Sequence, residues 1–569
     1  MAKRLGGLFL LSIVIGLVSG VVAWLFRLLI GLIHNLAFYG QWSLDYNTNH
    51  HSAGSSWGAL VIFAPVLGGL VVVWLVKNFA PEAKGHGVPE VISSIYHNEG
   101  RIRGIVSLVK ALASAITIGS GGSLGREGPI VQICAAFSSA IGQRFGLPAN
   151  QCIILIACGA SAGIAATFNA PLAGILFAIE LLLVSINSKT ILPVAIATVI
   201  AANIGRILIG PQPAFNIPAL HSADPISSPL LLVLYFPFGL LMGLAALLFV
   251  KSIYWAEDWF DRLPVNDYTR HVLGTLCLGI IFYCLFRLSG HYYVQGVGYA
   301  TIEDILSGVL SSPWFILLLF AAKLCAICLT IGSGGSGGVF SPSLFLGAAL
   351  GGGLGNVLVL MFPDIGIDPA AFALAGMAAM VAAATSAPLT AVIITYEMTL
   401  DYSVILPVMI SVSIAYAVRR YFSEGDIYTL KLLRRGQLVP EGLSVDINSH
   451  LVLKEIMDRD LRFLVQGESP ASLDKTTCIL ADGQVIGIVE AIHFPVERDI
   501  SLEQSTRNDF AVLSPHMTVK HALQILDDRQ TDIAVISQTG GLEQEAVVGF
   551  LNAKLLTQAF ARGSKFHFH

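Results

Sequence analysis

Two glycine-rich interruptions in otherwise apolar sequence constrain this chain more than any other feature. Gly119-Ser-Gly-Gly-Ser-Leu-Gly-Arg-Glu-Gly-Pro129 returns 213 positions later as Gly332-Ser-Gly-Gly-Ser-Gly-Gly-Val-Phe-Ser-Pro342, with Gly119 matching Gly332, Gly125 matching Gly338 and Pro129 matching Pro342. Each copy breaks a long apolar region and then opens a new apolar run. Within a bilayer such backbone is tolerated only where it is buried in protein or lines a cavity, because lipid offers its N–H and C=O groups no partner. Matched broken segments in the two halves of a membrane protein mark a substrate site between repeats. The pattern points to transport rather than catalysis.

Composition agrees. The 569 residues are 55% hydrophobic and only 12% charged, with a mean hydropathy of +0.73. Soluble domains carry roughly 25% charged residues, so most of this chain faces lipid. The net charge of −4 averages two unlike parts, and no basic run of nucleic-acid-binding type occurs. The apolar stretch from Leu5 to about Ile33, interrupted only by Arg27, exceeds the roughly 7–15 residues of a cleavable signal core and reads as a retained first helix. The eight cysteines are scattered, and Cys325-Ala-Ile-Cys328 lies in an apolar run without redox-fold context, which predicts neither disulfides nor a metal site.

Up to about Phe422 the chain alternates apolar runs with Gly, Pro and Asn punctuation. Leu5–Ile33, Leu60–Phe79, Leu230–Val250, Val272–Leu288 and Trp314–Ile331 are long enough to span a membrane. Ile130–Ile141 and Gln151–Ala166 fall short of the roughly 20 residues a span needs, which predicts tilted or half-crossing elements. The repeat reaches beyond the glycines. Lys110 corresponds to Lys323, Gly142 to Gly355, and Gly85-His-Gly-Val to Gly296-Val-Gly-Tyr; Pro171 and Glu180 find Pro388 and Glu397, both 217 positions on. The membrane part is therefore expected over 1–425, in halves of about 1–210 and 225–422, followed by a linker over 426–442. Lys3 and Arg4 before the first helix, and Arg419, Arg420, Lys431, Arg434 and Arg435 after the last, predict both ends cytoplasmic and an even number of crossings.

Beyond Ser423 the sequence becomes charged and mixed. Over 443–562 a helical pattern followed by short strands occurs twice: Leu453-Lys-Glu-Ile-Met-Asp with Val485-Ile-Gly-Ile-Val-Glu, then Val519-Lys-His-Ala-Leu-Gln-Ile-Leu with Asp532-Ile-Ala-Val-Ile and Ala546-Val-Val-Gly-Phe-Leu. This region resembles a tandem pair of cystathionine-β-synthase-type (CBS) modules. Residues 563–569 form a tail whose His567 and His569 could touch a metal, although a disordered tail is the simpler reading.

Gly125-Arg-Glu-Gly-Pro129, Gly338-Val-Phe-Ser-Pro342, the variant Gly85-His-Gly-Val-Pro89 and the CBS-like region together resemble the CLC chloride channel and transporter family over the whole chain. The resemblance implies an all-α polytopic membrane domain of two inverted-topology repeats with tilted and broken helices, a cytoplasmic α+β CBS pair, and a homodimer with one anion pathway per subunit. It also implies the site. The N–H groups of Val339 and Phe340 face the anion, with those of Arg126, Glu127 and Gly128 on the outer side. The turn holding His86 and Gly87 and the Tyr428 hydroxyl close the inner side. The physics is coherent: the first turn of a helix has unpaired N–H groups and about half a positive charge, enough to hold an anion and still release it.

Glu127 is the most consequential side chain, because an intramembrane carboxylate is costly and functional by default. Beside an anion site it can take the ion's place when ionised and swing away when protonated, which makes it a gate. A structural pair with Arg126 is the alternative. Arg126 and Lys110 are expected to supply a positive field, whereas Glu180 and Glu397, present in both halves, read as structural. Two departures from the family stand out. His86 occupies a position where chloride-selective members usually carry Ser; it either lines the vestibule or alters anion preference and pH response. Leu181 follows Glu180 where proton-coupled members commonly carry a second glutamate, so the usual inner proton relay is missing. The sequence thus favours a gated chloride channel, with a chloride/proton antiporter of altered inner route, or a transporter selective for another anion such as fluoride or nitrate, as alternatives. No enzyme motif, metal cluster or other cofactor site emerges, and Gly549-Phe-Leu-Asn-Ala-Lys and Gly487-Ile-Val-Glu-Ala-Ile lack the Asp with which the modules that this region resembles usually hold a ribose, which argues against nucleotide binding.

Overall fold

The computed structural model describes residues 2–184, 186–210, 215, 229–402, 404–435, 437, 453–466, 476–490, 506–517, 519–552 and 555; the tail with His567 and His569 lies outside them. The chain divides into two compact units, Met1–Leu443 and Ser444–His569.

The first unit is helical. Its first half runs α1 (Ala2–Tyr39), α2 (Ala64–Phe79), α3 (Val88–His97), α4 (Ile105–Gly119), α5 (Glu127–Arg144), α6 (Ala149–Phe168), α7 (Pro171–Leu181) and α8 (Ser188–Ile209). The second half runs α9 (Pro229–Asp261), α10 (Asp267–Ser289), α11 (Tyr299–Leu306), α12 (Pro313–Gly332), α13 (Phe340–Met361), α14 (Pro369–Thr385), α15 (Pro388–Thr399) and α16 (Ile405–Phe422), and α17 (Thr429–Arg434) follows. Among the described residues, 9 helices are long and apolar enough to cross a membrane. One of them is α6, so the Gln151–Ala166 run, expected to fall short, is extended by its flanks into a helix of 20 residues. The Ile130–Ile141 run lies within α5, which begins at the broken glycine segment.

The two halves use the same packing. Helix α1 lies on α4, α6 and α8 as α9 lies on α12, α14 and α16, and α5 packs on α6 as α13 packs on α14. Without a hydrophobic force between helices in lipid, close backbone approach carries the packing. A Cβ added at Gly355 of α13 would sit 2.7 Å from the Pro369 backbone of α14. The glycine breaks also match in conformation: Gly121 has φ +112° and Gly334 φ +114°, a region that only glycine enters without strain.

Contacts between the halves are reciprocal, as a two-fold relation demands. The Gly125 N–H donates to the Gly338 carbonyl and the Gly338 N–H to the Gly125 carbonyl, both at 2.7 Å. Glu180, near the end of α7, accepts from the N–H groups of Leu389 (2.9 Å) and Thr390 (2.8 Å) at the start of α15. Glu397 on α15 returns the contact, accepting from Leu172 (3.1 Å) and Ala173 (2.8 Å) at the start of α7. These glutamates cap helices, in line with their structural reading.

The second unit holds α18 (Leu453–Ile456), β1 (Arg462–Val465), β2 (Thr477–Ala481), β3 (Gln484–Val489), β4 (Ala511–Leu513), α19 (Val519–Asp528), β5 (Ile533–Ser537) and β6 (Val547–Asn552). Sheet β1-β2-β3 pairs β1 with β2 in parallel and β2 with β3 antiparallel; sheet β4-β5-β6 repeats that arrangement. Cys478, Leu480, Val485 and Ile488 of the first sheet share a core with Ile533, Val535, Val547 and Phe550 of the second.

Candidate anion site at the repeat interface

Three helix starts meet between the halves. Gly85 donates to the Gly335 carbonyl and Gly337 donates to the Gly85 carbonyl, each at 3.2 Å, so the turn before α3 is sewn to the segment before α13. That segment is itself sewn to the turn before α5 through Gly125 and Gly338. The approach leaves no room for side chains. A Cβ on Gly87 would lie 2.9 Å from the Gly128 carbonyl, and one on Gly338 2.6 Å from the Gly128 nitrogen. None of the three starts has a side-chain cap. Pro89, Pro129 and Pro342 sit in their first turns, where a missing N–H costs nothing. The remaining first-turn amides, which include those of Glu127, Gly128 and Phe340, have no intrahelical acceptor. Val339 and Phe340 are 1% and 4% exposed, so these dipoles act in a dry interior.

Glu127 stands at this junction and is 1% exposed. Its Oε1 accepts a 2.6 Å hydrogen bond from the Tyr299 hydroxyl, and the Arg126 Nε is 3.9 Å away, too far for a tight pair. Among the described residues its Oε2 is buried without a protein partner. The carboxylate lies neither in lipid nor in a remote ion pair.

Residues 68–420 match the voltage gated chloride channel family. The chain belongs to the CLC family. It is 34% identical over 391 residues to the H(+)/Cl(−) exchange transporter ClcA of Vibrio parahaemolyticus, covering 67% of this chain and 80% of that protein. The crystal structure of a slow cyanobacterial Cl−/H+ antiporter superposes with a TM-score of 0.65 at 26% identity, over 75% of this chain and 97% of that one. A eukaryotic CLC transporter shares the fold over 97% of this chain and all (100%) of its own, with a TM-score of 0.62 at 19% identity. Chloride transport is the activity of this family, and the chain is an integral, multi-pass membrane protein.

Within this CLC fold His86 and the segment before α17 border the junction. The His86 ring is 0% exposed and, among the described residues, neither ring nitrogen has a partner. Its ring centroid lies 6.4 Å from that of Tyr254, whose hydroxyl donates to the Ile427 carbonyl at 2.7 Å. The Ile427 N–H donates to Ala384 at the end of α14 (2.9 Å), and the Asp426 carboxylate accepts from the N–H groups of Tyr428 (2.7 Å) and Thr429 (2.8 Å). Tyr428 is thereby fixed inside the protein, at 2% exposed. Leu181 ends α7 half-buried, one residue past the helix-capping Glu180, and brings no ionisable group.

Lys110 is a tether before it is a source of field. Its buried ammonium donates to the carbonyls of Ala83 (3.0 Å) and Gly85 (2.7 Å), and Lys323 repeats this on Val294 (3.1 Å) and Gly296 (2.9 Å). Two other groups stand here that the sequence did not mark as site residues. Lys431 places its ammonium 3.3 Å from where a Gly85 Cβ would stand and 3.6 Å from Glu90. Tyr299 reaches Glu127 from the second half. Its only sequence signal is that Gly296-Val-Gly-Tyr differs from Gly85-His-Gly-Val at the first helical residue.

Proposed function

We propose that this protein moves chloride through the junction of the three uncapped helix starts, as a gated pathway in which the Glu127 carboxylate competes with the anion. The observation that carries the reading is the burial of Glu127 where α5 and α13 begin, against amides that favour a negative charge. Val339 and Phe340 supply central amides, Arg126, Glu127 and Gly128 the outer ones, and His86, Gly87 and Tyr428 the inner boundary. The half-buried Leu181 supports passive, channel-type flux, because leucine holds no proton. The exchange reading is supported by the Vibrio exchange transporter and the cyanobacterial antiporter.

Family membership supports a homodimer. The basic residues around both ends support cytoplasmic termini. The twice-repeated helix and sheet of the second unit support a CBS pair that acts in dimerisation or gating without nucleotide. The protein is read as a transporter without enzymatic activity.

Purified protein in liposomes tests the central claim. Under an imposed voltage, Glu127→Gln should raise chloride efflux at neutral pH and flatten its pH dependence; an unaltered profile overturns the gate. Proton uptake driven uphill by a chloride gradient overturns the channel reading in favour of exchange. In the same assay His86→Ser should change the ratio of nitrate or fluoride flux to chloride flux, because a buried ring whose nitrogens have no partner among the described residues is replaced by a small hydroxyl.

A further inference from the structure

We propose that Tyr299 is the latch of the pathway: its hydroxyl holds the ionised Glu127 carboxylate over the first turns of α5 and α13, and protonation of Glu127 loosens that hold. The inference rests on reading Glu127 as the gate. Tyr299 opens α11 directly after Gly298, whose φ of +85° requires glycine, and the turn is pinned by Lys323 to Gly296 at 2.9 Å. The ring is 1% exposed, met edge-on by Phe215 at 5.2 Å, with the Arg126 guanidinium 5.5 Å above it. The hydroxyl therefore has little freedom. It lies 2.6 Å from Glu127 Oε1 and 3.0 Å from Ser341 Oγ, which sits in the first turn of α13.

A phenol has one proton. With Glu127 ionised, that proton goes to the carboxylate and Ser341 donates into the phenol oxygen, a relay from α13 through α11 to α5. A hydrogen bond to a charged acceptor is roughly twice as strong as a neutral one, so protonating Glu127 weakens the latch as it removes the competing charge. The groups facing the carboxylate are Arg126 on its own segment, Tyr299 from α11, the non-titrating Ser341 from α13 and, within electrostatic reach, Tyr428. Arg27 and Tyr46 surround Arg126 in turn.

Repeat symmetry separates this contact from scaffolding. The lysine tethers, the glutamate caps and the glycine bridge each occur twice. The position matching Tyr299 is Val88 and the position matching Glu127 is Phe340, so the latch occurs once. The latch is therefore not part of what the two repeats share.

The test is chloride efflux from liposomes holding the full-length protein, recorded against external pH. Tyr299→Phe keeps the ring and removes the donor; it should speed efflux several-fold at pH 7 and move half-maximal efflux about one unit toward alkaline pH. Ser341→Ala, which leaves the ring untouched, should shift the curve the same way by less. Tyr299→Phe combined with Glu127→Gln should match Glu127→Gln alone. A Tyr299→Phe curve superimposable on the parent, while Glu127→Gln flattens it, overturns the latch and spares the gate. If Glu127→Gln keeps the parent profile, gate and latch fall together.

Discussion

A lysine inside a membrane protein is costly unless its donors are used, and the way Lys110 and Lys323 use theirs says what they are for. Each holds two carbonyls of a glycine turn, at residues 83 and 85 and at residues 294 and 296. The duplication predicts equal structural weight. Lys110→Met and Lys323→Met should each lower the thermal stability of the detergent-solubilised protein, by about 1–3 kcal/mol for carbonyls left without a donor. Only Lys110→Met should also weaken chloride binding measured by calorimetry, because the Gly85 turn runs on into His86, whereas the Gly296 turn runs on into Tyr299, which holds the competing Glu127 and not the anion. Equal losses of chloride affinity would contradict that assignment. The sequence revealed the 213-residue offset between these lysines but not their partners, since backbone carbonyls leave no trace in residue identity. Glu127, by contrast, stands out in the sequence as a costly intramembrane carboxylate, and it is buried at the junction. Tyr299 does not stand out: nothing in Gly-Val-Gly-Tyr says that its ring crosses to the other half.

At the scale of helices, the breaks were easier to read than the lengths. Glycine and proline mark where α4 and α12 end and where α5 and α13 begin, because positive φ and a missing N–H are properties of those residues themselves. The extent of α6 was not legible: apolar count alone ended it at residue 166, whereas the helix runs to Phe168 and closes on Asn169 in the left-handed conformation at φ +60°. Short α7 and α15 are another case, since each depends on a carboxylate from the other for its first-turn amides. Glu180→Ala and Glu397→Ala should each cost about 0.5–2 kcal/mol, the value of an N-cap, read as a fall in melting temperature. Neither should alter the pH dependence of chloride flux. If Glu180→Ala changed that dependence and Glu397→Ala did not, Glu180 would belong to the proton route and not to the scaffold.

The whole molecule repeats itself twice over, once in each unit, and in both the join between repeats is where polar chemistry gathers. In the second unit Arg507 is the charged part of that join, beside the shared apolar core. Its backbone exchanges hydrogen bonds with Ile488 of β3 at 3.0 and 2.9 Å, linking the strand to the segment that leads into β4. Its guanidinium grips Asp509 through two bonds of 3.0 and 2.6 Å and reaches Asp532, just before β5, at 2.7 Å. Those bonds hold both carboxyls below the usual aspartate range, and they hold the guanidinium above its own. Carboxyls with lowered values stabilise the folded form fully above about pH 4, the ordinary aspartate value, and lose that contribution as the pH falls through the lowered ones. Hydrogen–deuterium exchange of the full-length protein should therefore show residues 506–513 and 531–537 evenly protected from pH 7 to about 5. Protection should then drop by a few-fold in more acidic solution, once the intrinsic pH dependence of exchange is removed. The effect stays small because the aspartate side chains are 60% and 58% exposed and solvent screens the pair. Arg507→Met should loosen the same residues already at neutral pH and erase the acid step. An acid step that survives Arg507→Met would assign the pH response to other carboxyls and leave Arg507 only its two backbone bonds with Ile488.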